Sequence, residues 1–323
     1  MGQSNSSQIF NILFADLKAE ETFRIVKPLL AHYTSIKTLE SILRNDEVWL
    51  SNPLFMNDME EVRFGINEGA RLFIDSQELE SACGAPHRFS LLKDKFNIYY
   101  DSFANDHVID TYIFCLSQHD EMNTDGLLSM WRGYGGNGSG AAIVIDTAKI
   151  NFNEKSPFII AKVQYASTEA RIDWIKFKLK EVANLLNDTH INDDELKVLA
   201  YIFFERLKIF ALFTKHTGFD EEREWRVVYM RTRDTEKSFD PMFDYWIGPR
   251  GVEPKLKLKF SRLSDLMASD LSLSKIVRRI ILGPSVSSPL AKTMIFKMLD
   301  RLQKPELKAR VVASSIPYRA ADI

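Results

Sequence analysis

The sequence predicts a mixed α+β fold with a helical insertion, and three observations carry that reading. Leu29-Leu30-Ala31-His32-Tyr33-Thr34-Ser35 is a short apolar stretch ending in hydroxyls; Ile36, Leu39, Ile42 and Leu43 then fall on one helical face, and Val48-Trp49-Leu50 follows. That is strand, helix, strand in immediate succession. Runs rich in β-branched and aromatic residues recur downstream, at Thr111 to Ser117, Ala141 to Asp146, Trp225 to Met230 and Ile276 to Leu282. Residues 168–213 instead carry Leu and Phe at helical spacing, broken once at Asn192-Asp193-Asp194. Together these predict one α+β domain over 26–323, with a helical insertion at about 168–213, preceded by a polar tail and helix over 1–25.

Composition narrows the class. The 323 residues are 45% hydrophobic and 27% charged with a net charge of −2, so no global field draws the chain to nucleic acid or to an anionic membrane. No apolar run is long enough for a membrane span, and MGQSNSSQIF lacks the basic and apolar segments of a signal peptide. The same start matches the Met-Gly-x-x-x-Ser pattern of myristoylation, though one acyl chain anchors weakly. Two cysteines, Cys83 and Cys115, fit a reducing cytoplasm, and Cys115 reads as a small hydrophobe inside its strand.

The elements follow in order. Residues 1–8 are polar and read as disordered, and residues 9–24 as a leading helix with Ile9, Ile12, Leu13 and Leu17. Thr34 or Ser35 can cap the helix after the opening strand, and Asn45-Asp46 ends it. In Phe55-Met56-Asn57-Asp58-Met59-Glu60-Glu61, Asn57 or Asp58 can cap a helix whose acidic first turn suits the helix dipole. Gly84-Ala85-Pro86 breaks the next helical stretch. Leu127 to Tyr134 reads as a short helix, and the glycine-rich run 135–140 leads into the strand at Ala141. That order, helix then glycines then strand, is the reverse of a dinucleotide fingerprint, so the glycines read as a helix cap and tight loop. Ile159 to Tyr165, Leu256 to Phe260 and Arg310 to Ser315 complete the strands, with a helix at Ser288 to Leu302.

Two features are candidates for chemistry. His32 is the one ionisable side chain in the opening strand and is carried to its end, beside Tyr33 and Thr34. Glu222 and Glu224 alternate, and in an extended strand they would share a face, with Arg223 and Trp225 on the other. Paired carboxylates can stabilise a cation, accept protons or hold ribose hydroxyls. Ser117, with Gln118, stands at the polar end of its strand. Metal-site spacing is missing: there is no Cys-x2-Cys, no His-Glu-x-x-His, no phosphate-binding glycine-lysine loop and no nucleophile elbow.

Ala31-His32-Tyr33-Thr34-Ser35, Leu39-Glu40-Ser41-Ile42-Leu43, Phe55-Met56-Asn57-Asp58-Met59-Glu60, Phe114-Cys115-Leu116-Ser117, Met130-Trp131-Arg132-Gly133-Tyr134, Gly140-Ala141-Ala142, Glu222-Arg223-Glu224-Trp225-Arg226 and Ile281-Leu282-Gly283-Pro284 together resemble the bacterial DUF2971 family, a family without an assigned function. More distantly, a His-bearing strand, a hydroxyl, a Leu-x-x-Ile-Leu helix and a late Glu-x-Glu strand are similar to ADP-ribosyltransferases of the His–Tyr–Glu type and to DarT toxins. That resemblance implies split antiparallel or mixed sheets around a cleft, with NAD as substrate. His32 would bond the adenosine ribose, with Tyr33 and Thr34 beside it. One of Tyr134, Trp131 or Tyr112 would stack on nicotinamide. Glu224 would bond the 2′-hydroxyl of the nicotinamide ribose, Glu222 would orient the acceptor and Ser117 would bind phosphate or ribose. Asn45-Asp46 stands where the family commonly has Gly after the first helix. Asn57, Asp58, Glu60 and Arg226 are further candidates from the DUF2971 motifs. The leading expectation is a cytoplasmic NAD-dependent ADP-ribosyltransferase-like enzyme acting on a macromolecular acceptor, protein or nucleic acid, in bacterial defence or toxin action. The alternatives are a non-catalytic nucleotide-sensing or protein-interaction module, and a Mg-dependent nucleic-acid-processing enzyme using Asp58, Glu60, Glu222 and Glu224.

Overall fold

The structure, a computed structural model, describes residues 5–17, 22–56, 59–103, 108, 110–150, 156–248, 251–263 and 271–318. In chain order the elements are α1 (Asn5–Leu13), α2 (Phe23–Val26), β1 (Leu29–Thr34), α3 (Ile36–Asn45), β2 (Glu47–Ser51), α4 (Met59–Ile74), α5 (Gln77–Ala82), α6 (Pro86–Ser102), β3 (Thr111–His119), α7 (Leu128–Gly133), β4 (Ala141–Asp146), β5 (Phe158–Lys162), β6 (Gln164–Ala166), α8 (Thr168–Asp188), α9 (Asp193–Phe213), β7 (Thr214–His216), β8 (Glu224–Met230), β9 (Phe243–Gly248), β10 (Gly251–Lys259), α10 (Leu273–Ile276), β11 (Val277–Leu282), α11 (Pro289–Arg301) and β12 (Val311–Ala313). The chain divides into two compact units: 1–20, 52–111 and 163–219 form one, and 21–51, 112–162 and 220–323 the other. No helix among the described residues is long and apolar enough to cross a membrane.

The first unit is mainly helical. Asn192 caps α9 with a complete capping box, its side chain accepting from the Glu195 N–H while Glu195 accepts from the Asn192 N–H. Phe73, Phe96, Phe203 and Phe204 interlock at its centre, with ring centroids of Phe73 and Phe96 at 4.2 Å. Helix α1 begins earlier than the sequence predicts. Asn5 is polar, yet its amide donates to the Glu195 carboxylate at 2.8 Å and so ties the helix start to the N-terminus of α9. Asp16, after α1, accepts from Arg206 at 2.6 Å and pairs with Lys178 at 3.1 Å; both cations are buried. The helical excursion expected at about 168–213 is α8 and α9, and β6 and β7 pair in parallel beside their ends.

The second unit is built on an open, mixed sheet with strand order β12-β11-β4-β1-β3-β2-β10-β9, and β8 pairs with both β3 and β5. β1 with β3 and β4, β2 with β3 and β10, β9 with β10, β4 with β11 and β5 with β8 pair antiparallel, and β11 with β12 parallel. The opening strand-helix-strand forms as the sequence predicts: Ser35 caps α3 by accepting from the Thr38 N–H at 3.0 Å, and Leu39, Ile42 and Leu43 face the core. Asp46 then takes a left-handed conformation that turns the chain into β2. The run Ile159 to Tyr165, expected as one strand, is split at Val163 into β5 and β6.

The two faces of this sheet pack separately. Leu30, Tyr112, Phe114, Leu116, Ile143, Trp225 and Tyr229 belong to the larger apolar cluster; Ala31, Tyr33, Trp131, Ala142, Val144 and Ile281 form a smaller one. Alternation along β1, β3, β4 and β8 sorts neighbouring residues to opposite sides.

Candidate functional site

The pairing of β1 is the feature that shapes the site. On one side β1 pairs with β4 along its whole length, from Leu29–Asp146 to Thr34–Ala141. On the other side it pairs with β3 only from Leu29–His119 to Ala31–Ser117. The strands part after that, and His32 is the first residue beyond the last pair. Its Nδ1 lies 3.4 Å from the Cys115 carbonyl oxygen, which can only accept, so Nδ1 carries the proton and Nε2 the lone pair. The ring is half-buried and its centroid is 4.6 Å from that of Phe114. Desolvation pushes its pKa down to about 4, against a smaller upward effect of the Cys115 hydrogen bond, so the imidazole is neutral near pH 7.

Tyr33 points the other way. It is buried, its ring meets Trp131 edge-on at 4.8 Å, and its hydroxyl accepts from the Leu127 N–H at 2.9 Å. Burial pushes the phenol up to about 12. Trp131 is fully buried, and its indole N–H donates to the Asp125 carbonyl at 2.8 Å. Neither ring has a face open to a ligand. Tyr33 and Trp131, expected as ligand-contacting residues, form the packed wall behind the site instead. Thr34 is also buried. Tyr112, the third candidate aromatic, is buried in the larger cluster against Phe243.

Tyr134 is the exposed candidate. It ends α7, which Trp131 anchors, and its hydroxyl donates to Glu222 Oε1 at 2.9 Å. The loop after it is held by backbone contacts: the Gly140 N–H donates to Gly135 at 2.8 Å, Gly283 to Gly140 at 2.9 Å and Ser285 to Gly138 at 2.9 Å. A Cβ on Gly140 would collide with the Thr34 carbonyl oxygen and lie 2.7 Å from that of Gly135. The glycines therefore serve close backbone packing, as a cap and tight loop.

Glu222 and Glu224 differ from the sequence expectation. Glu222 closes a 3-10 turn, Thr217–Glu222, and Arg223 takes a positive φ of 45° before β8 begins at Glu224. The strand alternation that would have put both carboxylates on one face does not reach Glu222. Glu222 is partly exposed beside Tyr134, whereas Glu224 is buried and clamped by Arg226, also buried. Arg226 Nε donates to Glu224 Oε1 at 2.7 Å and Nη2 to Oε2 at 3.2 Å, a forked ion pair. The segment is fixed beside β3, since the Gln118 N–H donates to the Arg223 carbonyl at 2.8 Å.

Alternation also separates the two residues expected to form one cleft. His32 shares the face of Leu30 and lies tilted against Phe114, and Leu30 and Phe114 are both in the larger cluster. Trp225 and Tyr229 of β8 face that same cluster, which sets Glu224 and Arg226 on the opposite side. Ser117 lies on the side of Ala31, and its buried Oγ has no hydrogen-bond partner; the same holds for His119 Nε2 two residues on. Of the candidate polar groups, Tyr134 and Glu222 thus reach the surface, while Ser117 is buried on the Glu224 side of the sheet.

Glu60 belongs to the other unit, in the exposed first turn of α4, with Arg63 at 3.5 Å. Asn57 and Asp58 lie outside the described residues. No group of three or more His, Cys, Asp or Glu among the described residues could hold a metal ion, which leaves the Mg-dependent reading without a cluster there. Sequence reasoning named Tyr134 and Glu222 separately but missed their bond, which joins positions 88 residues apart.

No curated protein and no solved structure matches the chain. A family model described as "Protein of unknown function (DUF2971)" matches residues 130–227, the span from the buried Met130-Trp131 to the middle of β8, and supports the DUF2971 resemblance.

Proposed function

We propose that the protein is an NAD-dependent ADP-ribosyltransferase-like enzyme, with its reactive carboxylate at Glu222. The observation that carries this reading is the Tyr134–Glu222 bond at the surface: an exposed aromatic residue hydrogen-bonded to a partly exposed carboxylate. The ring would stack on the flat nicotinamide. The carboxylate would bond the adjacent ribose hydroxyl and oppose the positive charge that develops at the anomeric carbon as the carbon–nitrogen bond breaks. The bonding pair leaves with nicotinamide, and a nucleophile of the acceptor forms the new bond, releasing its proton to Glu222 or to water. Glu224, which the resemblance favours for the reactive role, would instead hold Arg226 in place.

The test is transfer of adenylate-labelled NAD to lysate components. Glu222→Gln should lower labelling by about 10²–10³-fold, and Tyr134→Ala should weaken NAD binding. Wild-type protein that neither binds nor consumes NAD would overturn the proposal. A second reading, a non-catalytic nucleotide sensor, draws on the neutralisation of Glu224 by Arg226. It predicts nucleotide binding with no turnover and no effect of Glu222→Gln on any covalent product.

A further inference from the structure

Residues 314–318 leave the sheet after β12 and cross the loops on either side of α7, all within the second unit. Ser314 still donates to the Leu282 carbonyl at 2.9 Å, in line with the pairing of β11 and β12. The Ser315 N–H then donates to the Asp125 carboxylate, in the loop before α7. The carbonyl of the same Asp125 accepts from the Trp131 indole at 2.8 Å. Ile316 packs against the smaller apolar cluster that holds Tyr33 and Trp131. Tyr318 completes the crossing. Its hydroxyl donates to the Asn137 side-chain carbonyl in the glycine loop, and the Arg132 guanidinium stands 5.2 Å from its ring centroid. A Cβ on Gly138 would lie 3.0 Å from two Tyr318 ring carbons, so the ring rests directly on the Gly138 backbone.

One phenol thus touches the chain two residues before Tyr134 and three and four residues after it. Between those points the backbone is bonded to itself. The Tyr134 and Gly135 N–H groups both donate to the Met130 carbonyl at 2.9 Å, and the Gly138 N–H donates to Trp131 at 3.1 Å. Asn137 and Gly138 turn the loop with φ of 50° and 85°. Tyr134 itself is exposed, so its direction follows from the backbone on either side rather than from packing of its own ring. We propose that Tyr318 is a positioning residue for Tyr134, and that residues 314–318 form a strap that keeps α7 and the glycine loop in the geometry that delivers the Tyr134 hydroxyl to Glu222. A shift of the loop by about 1 Å parts donor from acceptor. The consequence for catalysis rests on the transferase reading, whereas the hold on α7 does not.

The experiment compares the full-length wild type, Tyr318→Ala and Tyr318→Phe by hydrogen exchange and by the kinetics of NAD consumption. Tyr318 is only partly buried and lies outside the sheet, so Tyr318→Ala should fold. Amides over 128–140 should exchange at least about tenfold faster in Tyr318→Ala, while those of α3 and β10 keep their wild-type rates. Tyr318→Phe keeps the ring on Gly138 and beside Arg132, and its exchange should stay within about threefold of wild type. Tyr318→Ala should raise the KM for NAD and lower kcat, each by at least about threefold, and Tyr318→Phe should restore most of both. Unchanged exchange over 128–140, a rise spread evenly over the whole chain, or wild-type kinetics in Tyr318→Ala would each overturn the strap. A raised KM with kcat unchanged would make Tyr318 a residue that only binds ligand, and would overturn the positioning role. A wild type that neither binds nor consumes NAD overturns the transferase reading alone, and exchange over 128–140 then decides whether Tyr318 holds α7.

Discussion

Replacing His32 with asparagine should remove part of the acid sensitivity of the folded state. The ring has lost water on the Phe114 side, and its pKa falls from the ordinary 6.5 to about 4. The unfolded chain binds this proton more readily than the folded one, so the unfolded state gains as pH falls below 6.5. The stabilisation is complete above pH 6.5, drains through the window down to about pH 4 and changes no further below it. A shift of that size corresponds to at most about 3 kcal/mol, and because the residue keeps some contact with water a change of about 1–3 kcal/mol is expected. Urea unfolding followed by tryptophan fluorescence at about pH 7.5, 6 and 5 gives the slope for each protein. His119, also lowered chiefly by burial, and the carboxylates titrate in both proteins, so the difference between the wild type and His32→Asn isolates His32. A difference that stays constant across the window would mean that the ring protonates as freely in the folded protein as in the unfolded one, and the reading of a neutral, desolvated His32 would fail.

Three further outcomes follow from contacts elsewhere in the chain. Arg226→Met removes the guanidinium fork from the buried Glu224 and should cost about 3–5 kcal/mol in urea unfolding, with Glu224→Gln/Arg226→Met less destabilised than the sum of its single changes. Gly140→Ala drives a methyl against the Thr34 and Gly135 carbonyls, where backbone must move; a loss of about 1–3 kcal/mol is expected by thermal unfolding, whereas Gly84→Ala meets no atom and is strained only by its positive φ. Asn192→Ala removes the cap of α9 and should cost about 1 kcal/mol, read from the urea midpoint.

Sequence periodicity located β1, α3 and β2 because every local signal agreed there: a hydroxyl cap at Ser35, an apolar stripe from Leu39 to Leu43 and a turn at Asp46. It located α8 and α9 for the same reason. What it misplaced depends on contacts between distant positions. Trp131 looked available for stacking because sequence gives an aromatic residue but not its depth; its burial comes from Tyr33, far earlier in the chain, and from tight glycine contacts at 126 and 135. Glu222 looked like a strand neighbour of Glu224 because nothing local announces that a non-glycine residue, Arg223, takes a positive φ. The start of α1 is likewise set by the Asn5–Glu195 bond rather than by the polarity of its first residues.

The stretches that resemble DUF2971 acquire a common physical role once placed in the fold. Trp131 packs on Tyr33, Gly140 passes under the Thr34 carbonyl, and Gly283 passes against the loop at Gly138. The first two contacts lie at the end of β1 and the third holds the loop that follows α7, and α7 ends in Tyr134. The buried members of these motifs thus determine where one exposed phenol stands, and Glu222 receives its hydrogen bond. If Tyr134 and Glu222 carry the chemistry, a change at Trp131 should act through their spacing and move both ligand affinity and rate. A change at Tyr134 that keeps the ring, Tyr134→Phe, should preserve stacking and lose only the alignment of Glu222. Affinity and rate therefore separate in the second variant and not in the first, which distinguishes a wall that positions from a residue that touches the ligand.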